Sequence, residues 1–283
     1  MDTSLDQLLA TEIPDVTQTY TEKDVILYAL GVGMGCEPQD ESQLNFVYEK
    51  ALQVLPTMAV VLGVLRVRDL ALGLNYLKVV HGEQSLTLHK ALPSSATVVT
   101  KSRIAGVLDK GVDKGLVVIL RREVYEQQSG ELLATSDMSI FARGDGGMGS
   151  TITEPPPVSV IPERAADLVV DMPTSKRAAL IYRLSGDMNP LHADPVIAKQ
   201  AGFDRPILHG LATYGVVGYA VLKHVCNNDP AAFKSLKGRF SAPVFPGDNI
   251  QVNLWHEAGG VAIRATVPER NVVVFNNGYA EVA

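Results

Sequence analysis

The chain has 283 residues, 46% of them apolar and 20% charged, a globular balance that excludes an intrinsically disordered protein. At about 150 residues per domain, that length predicts two domains or one large one. A net charge of −6 with no dense basic run argues against nonspecific nucleic-acid binding, which needs clustered cations to neutralise phosphates. The two cysteines, Cys36 and Cys226, fit no metal or redox spacing and point to a reducing compartment. No apolar run spans a bilayer, so no membrane association is expected. The start, Met1-Asp2-Thr3-Ser4-Leu5-Asp6, lacks the blocks of a signal peptide, and the last residues are no Ser-Lys-Leu-type address. These readings predict a soluble cytoplasmic protein.

The first predicted element is an amphipathic helix from Thr21 to Leu30, with Thr21 as its cap. A strongly apolar segment, about Leu55 to Leu65, predicts a second helix. β-Branched stretches at Thr97-Val98-Val99-Thr100 and Gly115-Leu116-Val117-Val118-Ile119-Leu120 read as strands. Residues 144–157 hold a glycine run and Pro155-Pro156-Pro157, flexible and then stiff, and read as a linker. Beyond it the plan repeats. A Thr-capped helix is expected from Thr174 to Leu184, then an apolar helix from about Leu211 to Lys223. Strands follow at Ile250-Gln251-Val252-Asn253-Leu254 and Asn271-Val272-Val273-Val274-Phe275. The layout is α+β, with the apolar helix buried against antiparallel strands.

A shift of 153 residues aligns the halves without gaps. Thr21 falls on Thr174, Lys23 on Lys176, Leu27 on Leu180, Gly33 on Gly186, Leu55 on Leu208 and Pro93 on Pro246. The domains are expected at 1–148 and 156–283.

The stretch that carries chemistry is Tyr182-Arg183-Leu184-Ser185-Gly186-Asp187-Met188-Asn189-Pro190-Leu191-His192. Gly186 is placed to end a helix in left-handed conformation, Pro190 keeps Asn189 out of helical geometry, and Asp194-Pro195 starts a short helix that Gly202 ends. Asp187, Asn189 and His192 therefore share a short loop between helices. A carboxylate beside an imidazole can divide proton removal and return on one water. At the 153-residue shift Asp187 faces Met34, Asn189 faces Cys36 and His192 faces Gln39, so one half keeps the glycine signal without the polar trio. Downstream, Pro206-Ile207-Leu208-His209-Gly210 runs into the apolar helix. Gly210 thus offers a free N–H at a helix N-terminus for negative charge on a carbonyl oxygen.

These residues resemble the type 2 enoyl-CoA hydratases of the MaoC-like dehydratase group. Their signature, aromatic-x-Leu-Ser/Thr-Gly-Asp-x-Asn-Pro-Leu/Ile-His, occurs at 182–192 without departure. Two further family marks are present, Val80-His81-Gly82-Glu83-Gln84 and Phe240-Ser241-Ala242-Pro243-Val244-Phe245-Pro246-Gly247-Asp248.

The resemblance implies two tandem hot dog folds, each a sheet around a long helix (Leu55–Leu65 and Leu211–Lys223), with a degenerate first copy that widens the acyl space. It implies (R)-specific hydration of trans-2-enoyl-CoA with Asp187 and His192 as the catalytic pair. Asn189 would orient them or the water, and Gly210 would be the oxyanion donor. His81, Gly82, Lys110 and Phe240 would contact the acyl-CoA. The expected partner is an acyl-CoA thioester and the expected assembly a homodimer. No cofactor is expected. The six histidines show no metal-ligand spacing, and Gly31-x-Gly33-x-Gly35 is no dinucleotide fingerprint. The alternatives are a hot dog thioesterase, which would release free CoA thiol, and a noncatalytic acyl-CoA binding module.

Overall fold

The computed structural model describes residues 4–37 and 39–283, so the first three residues of the expected acidic start lie outside it. Ten antiparallel strands form one continuous sheet. The first half supplies β1 (Val16–Tyr20), β2 (Val79–Leu88), β3 (Ala96–Asp109), β4 (Leu116–Glu126) and β5 (Leu132–Ala142). The second half supplies β6 (Leu168–Pro173), β7 (Phe233–Phe240), β8 (Asn249–Glu257), β9 (Gly260–Val267) and β10 (Val272–Val282). The strand order is β1-β3-β4-β5-β2-β7-β10-β9-β8-β6, so each half is contiguous and β2 joins β7 at the seam. Glu83 lies opposite Arg239 there, and Arg239 Nε donates to Glu83 Oε1 at 2.8 Å.

Six α-helices accompany the sheet among the described residues: α1 (Leu5–Leu9), α2 (Glu22–Gly31), α3 (Leu44–Val47), α4 (Ala178–Tyr182), α5 (Pro195–Gln200) and α6 (Gly210–His224). In α6 the eleven residues Ala212 to Leu222 are all buried, as a helix apolar on every side requires. α2 begins after Thr21 as expected, with the Asp24 carboxylate accepting the Thr21 N–H at 2.8 Å.

Two helix expectations are corrected. Residues 55–65 form no long helix, only a 3-10 turn at Pro56–Val61. Gly63 follows in left-handed conformation, its N–H bound to Gln18 Oε1 at 2.7 Å. Few residues separate Pro56 from Gly63, and Thr57, Val60 and Val61 are β-branched. An apolar run of this length reads alike whether it is a helix or another buried segment. In the second half Thr174 caps nothing. Its N–H and hydroxyl both donate to Asp248 O, and α4 starts only at Ala178.

With no long helix of its own, the first half packs on α6. A Cβ on Gly215 would lie 2.5 Å from Val32 Cγ1, and one on Gly218 2.4 Å from Thr57 Cγ2. Glycines inside a helix cost about 0.5–1 kcal/mol each; here they let one helix serve both halves. The largest apolar cluster accordingly draws on α2, the 3-10 turn and the inner faces of both half-sheets.

Residues 143–167 contain no helix or strand, in keeping with a linker. The glycine run is nevertheless held in place. Gly147 and Gly149 donate their N–H groups to the Asp109 carboxylate at 3.0 and 2.7 Å, and Thr151 N–H donates to Val107 O.

Candidate active site

The loop between α4 and α5 has the expected backbone. Gly186 has φ +122°, as its repeat partner Gly33 has +96°. Asn189 is extended before Pro190, and the Asp194 carboxylate caps α5. The loop carries Asp187 and His192 to one point. Asp187 Oδ2 lies 3.9 Å from His192 Nε2; His192 is buried, whereas the Asp187 side chain is 49% exposed.

Both groups are held by backbone. Asn189 N–H donates to Asp187 Oδ1 at 3.1 Å. The Asn189 side chain accepts the Leu191 N–H at 3.1 Å. His192 Nδ1 lies 2.9 Å from Ile207 O. A carbonyl only accepts, so Nδ1 carries the ring proton and Nε2 presents a lone pair toward Asp187. Leu208 N–H in turn donates to Val244 O at 2.7 Å, tying this segment to the Phe240–Asp248 motif.

A separation of 3.9 Å is too long for a direct hydrogen bond. It suits one water held about 2.8 Å from each atom, at an angle of about 90°. The carboxylate and the imidazole lone pair both accept, so such a water gives a proton to either.

Gly210 opens α6, and its N–H has no acceptor within the helix. It lines a cavity of about 660 Å³ with His81, Gly82, Lys110, Phe240 and Ile207. The structure thus gathers every expected substrate contact with Gly210 at one cavity. Asp187, Asn189 and His192 are not among its lining residues, and His192 joins it through the Ile207 carbonyl. His81 meets Phe240 edge to face at 4.8 Å, and the Lys110 ammonium sits 4.8 Å over the Phe141 ring. A Cβ at Gly82 would fall 2.8 Å from Ser139 Oγ, so a side chain there would have to displace the serine hydroxyl.

One residue at the centre was not picked out from the sequence, although it precedes Gly210 in the quoted motif. His209 stacks on His192 with ring centroids 3.7 Å apart and planes at 27°, and its Nε2 donates to Asp187 O at 3.1 Å. Asp187, His192 and His209 each place a potential metal-ligand atom within 4.8 Å of the others. His192 Nδ1 and His209 Nε2 each donate to a backbone carbonyl, so each ring carries its proton at that nitrogen, an arrangement suited to proton handling.

Burial lowers the pKa of all three site histidines: His81 to about 4, with His192 and His209 also below the usual value. Each stays neutral in the folded chain at a pH where the unfolded chain takes up a proton near 6.5. The unfolded state therefore binds more protons in this window, and stability is lost as pH falls from about 6.5 toward 4. Thermal melts are expected to show a steep drop in Tm between about pH 6.5 and pH 4.5. A flat profile would show that these rings are not buried neutral.

Residues 18–144 match the family described as MFE-2 hydratase 2 N-terminal domain, and residues 158–276 match the MaoC like domain. The protein named enoyl-CoA hydratase 2, peroxisomal, from Arabidopsis thaliana is 40% identical over 98% of this chain and 94% of its own length. The chain belongs to the MaoC-like hydratase 2 family. Another family member, 3-hydroxyacyl-thioester dehydratase Y of Mycobacterium tuberculosis, is 39% identical over 87% of this chain and 86% of its own. The crystal structure of a MaoC-like dehydratase from Phytophthora capsici superposes with a TM-score of 0.88 at 35% identity, covering 99% of both chains. The fold is the double hot dog of this family, with the first-half helix reduced to a turn.

Proposed function

We propose that the protein catalyses the reversible hydration of trans-2-enoyl-CoA to (3R)-3-hydroxyacyl-CoA. The observation that carries this is the pair of acceptors, Asp187 Oδ2 and His192 Nε2, set 3.9 Å apart, with the Gly210 N–H opening the helix directly after His209, whose ring stacks on His192. The names of the Arabidopsis and mycobacterial relatives support the same chemistry.

The thioester carbonyl draws electrons from the double bond, so the water held by the pair adds to the β-carbon. Charge collects on the carbonyl oxygen as an enolate, which Gly210 N–H stabilises. One member of the pair takes the water proton, and a proton from the pair passes to the α-carbon, so one water is consumed and nothing else is needed. Asn189 acts through its backbone, fixing the carboxylate. His81, Gly82, Lys110 and Phe240 form the wall against which the acyl-CoA lies.

Purified protein mixed with crotonyl-CoA is expected to remove the absorbance of the conjugated thioester, release no free thiol, and give a product of R configuration on chiral analysis. Release of CoA thiol would favour a thioesterase. Binding without turnover would favour an acyl-CoA binding module. A homodimer and a cytoplasmic location belong to the same proposal. Both cysteines are free, which supports a reducing compartment, and no helix among the described residues is long and apolar enough to cross a membrane. Light scattering and cell fractionation test these two points.

A further inference from the structure

The cavity that holds Gly210 also carries charge that the hydration chemistry does not use. Its charged lining residues are Glu83, Lys110, Arg143 and Arg239. Glu83 and Arg239 pair with each other across the seam. Lys110 and Arg143 have no acidic partner among the described residues; their cationic groups face only the Phe141 ring, 4.8 and 5.7 Å from its centroid. The acids beside them in sequence are engaged elsewhere. The Asp109 carboxylate accepts the N–H groups of Gly111, Gly147 and Gly149, and that of Asp145 accepts the Asn75 N–H. In a chain of net charge −6, two unpaired cations over one ring in one cavity mark a place for an anion.

Strand register explains why the two lie together. Leu108 on β3, Val117 on β4, Phe141 on β5 and Val80 on β2 are register partners in turn, and all four line the cavity. Lys110 and Arg143 come two residues after Leu108 and Phe141, just past the ends of β3 and β5. Alternate residues share a face, so both extend the cavity face of the sheet. The ladder still holds both backbones there: Lys110 N–H donates to Gly115 O at 3.0 Å, and Arg143 N–H donates to Lys78 O at 3.1 Å.

This face runs from the oxyanion donor to the cations. A Cβ at Gly210 would lie 3.7 Å from the Phe240 ring, which meets His81 edge to face. Gly82, next along β2, abuts Ser139 on β5. From Ser139 the chain passes Phe141 and reaches Arg143 after four residues, about 13 Å at the rise of a strand. Ser139, Phe141 and Arg143 all line the same cavity, so the path is open along its length. A thioester whose carbonyl meets the Gly210 N–H therefore lays its carrier along β5, with the far end at Lys110 and Arg143.

We propose that Arg143, beside Lys110, binds the phosphate groups at the nucleotide end of CoA, and that this contact selects free CoA thioesters over thioesters on a carrier protein. A guanidinium donates two parallel hydrogen bonds to a phosphate, and the lysine ammonium adds a point charge. A carrier protein would bring a single phosphodiester charge to this point. CoA brings a diphosphate and a 3′-phosphate, which match two unpaired cations. The proposal rests on the hydration reading above and adds a second residue to its Lys110 contact.

The test compares kcat/KM for the crotonyl thioesters of CoA, 3′-dephospho-CoA, pantetheine and an acyl carrier protein, in wild type, Arg143→Gln and Arg143→Lys. Arg143 is exposed, so neither substitution threatens the fold. Wild type is expected to favour CoA over pantetheine by about a hundredfold, about tenfold for each of two charge-assisted contacts. Arg143→Gln lowers that ratio about tenfold, through KM and not kcat, and Arg143→Lys keeps part of it. Added salt shrinks the wild-type ratio. The dephospho ester locates the contact: a tenfold loss with it in wild type assigns Arg143 to the 3′-phosphate, and no loss assigns it to the diphosphate. Calorimetry with CoA alone, which needs no turnover, should show a similar loss of affinity in Arg143→Gln. Equal kcat/KM for the CoA and pantetheine esters in wild type overturns the proposal. So does an unchanged ratio in Arg143→Gln, or a carrier-protein ester used as well as the CoA ester. Binding of CoA without hydration of any ester would instead overturn the hydration reading and leave the phosphate contact standing.

Discussion

Asp187→Asn is expected to lower kcat/KM on crotonyl-CoA by about 10²–10⁴-fold, the usual worth of a positioned acid–base group. The amide keeps the volume of the carboxylate and an oxygen for the Asn189 N–H, which removes packing as an explanation. What it loses is the charge and basicity facing His192 Nε2 across 3.9 Å. His192→Ala should cost a similar factor, because a water held by two acceptors loses its orientation when either goes. The double variant is then expected to be little worse than either single one, as for groups that act as a unit. Circular dichroism and a thermal melt check the fold. The half-exposed Asp187 side chain predicts almost no stability change for the first variant, whereas emptying the buried His192 site costs some. Full activity in both variants would remove the pair from the mechanism.

The second large effect concerns a backbone atom, and the helix allows a clean test of it. Gly210→Pro deletes the N–H proposed to hold the enolate oxygen. Proline is at home in the first position of a helix, where the N–H has no intrahelical partner. His209 before it has φ −59° and ψ 140°, the extended conformation a residue preceding proline prefers. A Cβ at position 210 approaches nothing closer than 3.7 Å, the Phe240 ring. The helix should therefore survive while kcat falls about 10²–10³-fold, or about 2.7–4 kcal/mol of transition-state stabilisation. Gly210→Ala keeps the N–H and should retain most of the activity. Its loss to the same degree would mean that space beside Phe240 matters, not the donor.

Much of the site was legible in the sequence because its signals are local. Gly186 before Asp187, Pro190 after Asn189 and Asp194-Pro195 each act on their own few residues, and the observed dihedrals and caps follow. The apolar run after Gly210 is long enough to be a helix in any burial, and it is one. Other features resisted because their causes lie far away in the chain. Thr174 has the composition of a cap, but the Asp248 carbonyl, 74 residues on, takes its hydroxyl. His209 looks like a residue on the way to Gly210 until the fold stacks it on His192. Lys110 gains meaning only with the Phe141 ring beneath it and the cavity beside it.

By itself, then, the sequence determined the two-part plan, the loop carrying Asp187 and His192, and the helix that starts at Gly210. Each depends on glycine, proline or polar residues acting within a turn of chain. Only the tertiary structure decided that the two half-sheets fuse through β2 and β7, and that one helix serves both because Gly215 and Gly218 admit the first half. It alone decided that the 55–65 segment collapses to a turn whose Val60 carbonyl meets a buried Arg122. Burial and the partners of polar atoms are set by residues distant in sequence, so composition and spacing carry no trace of them.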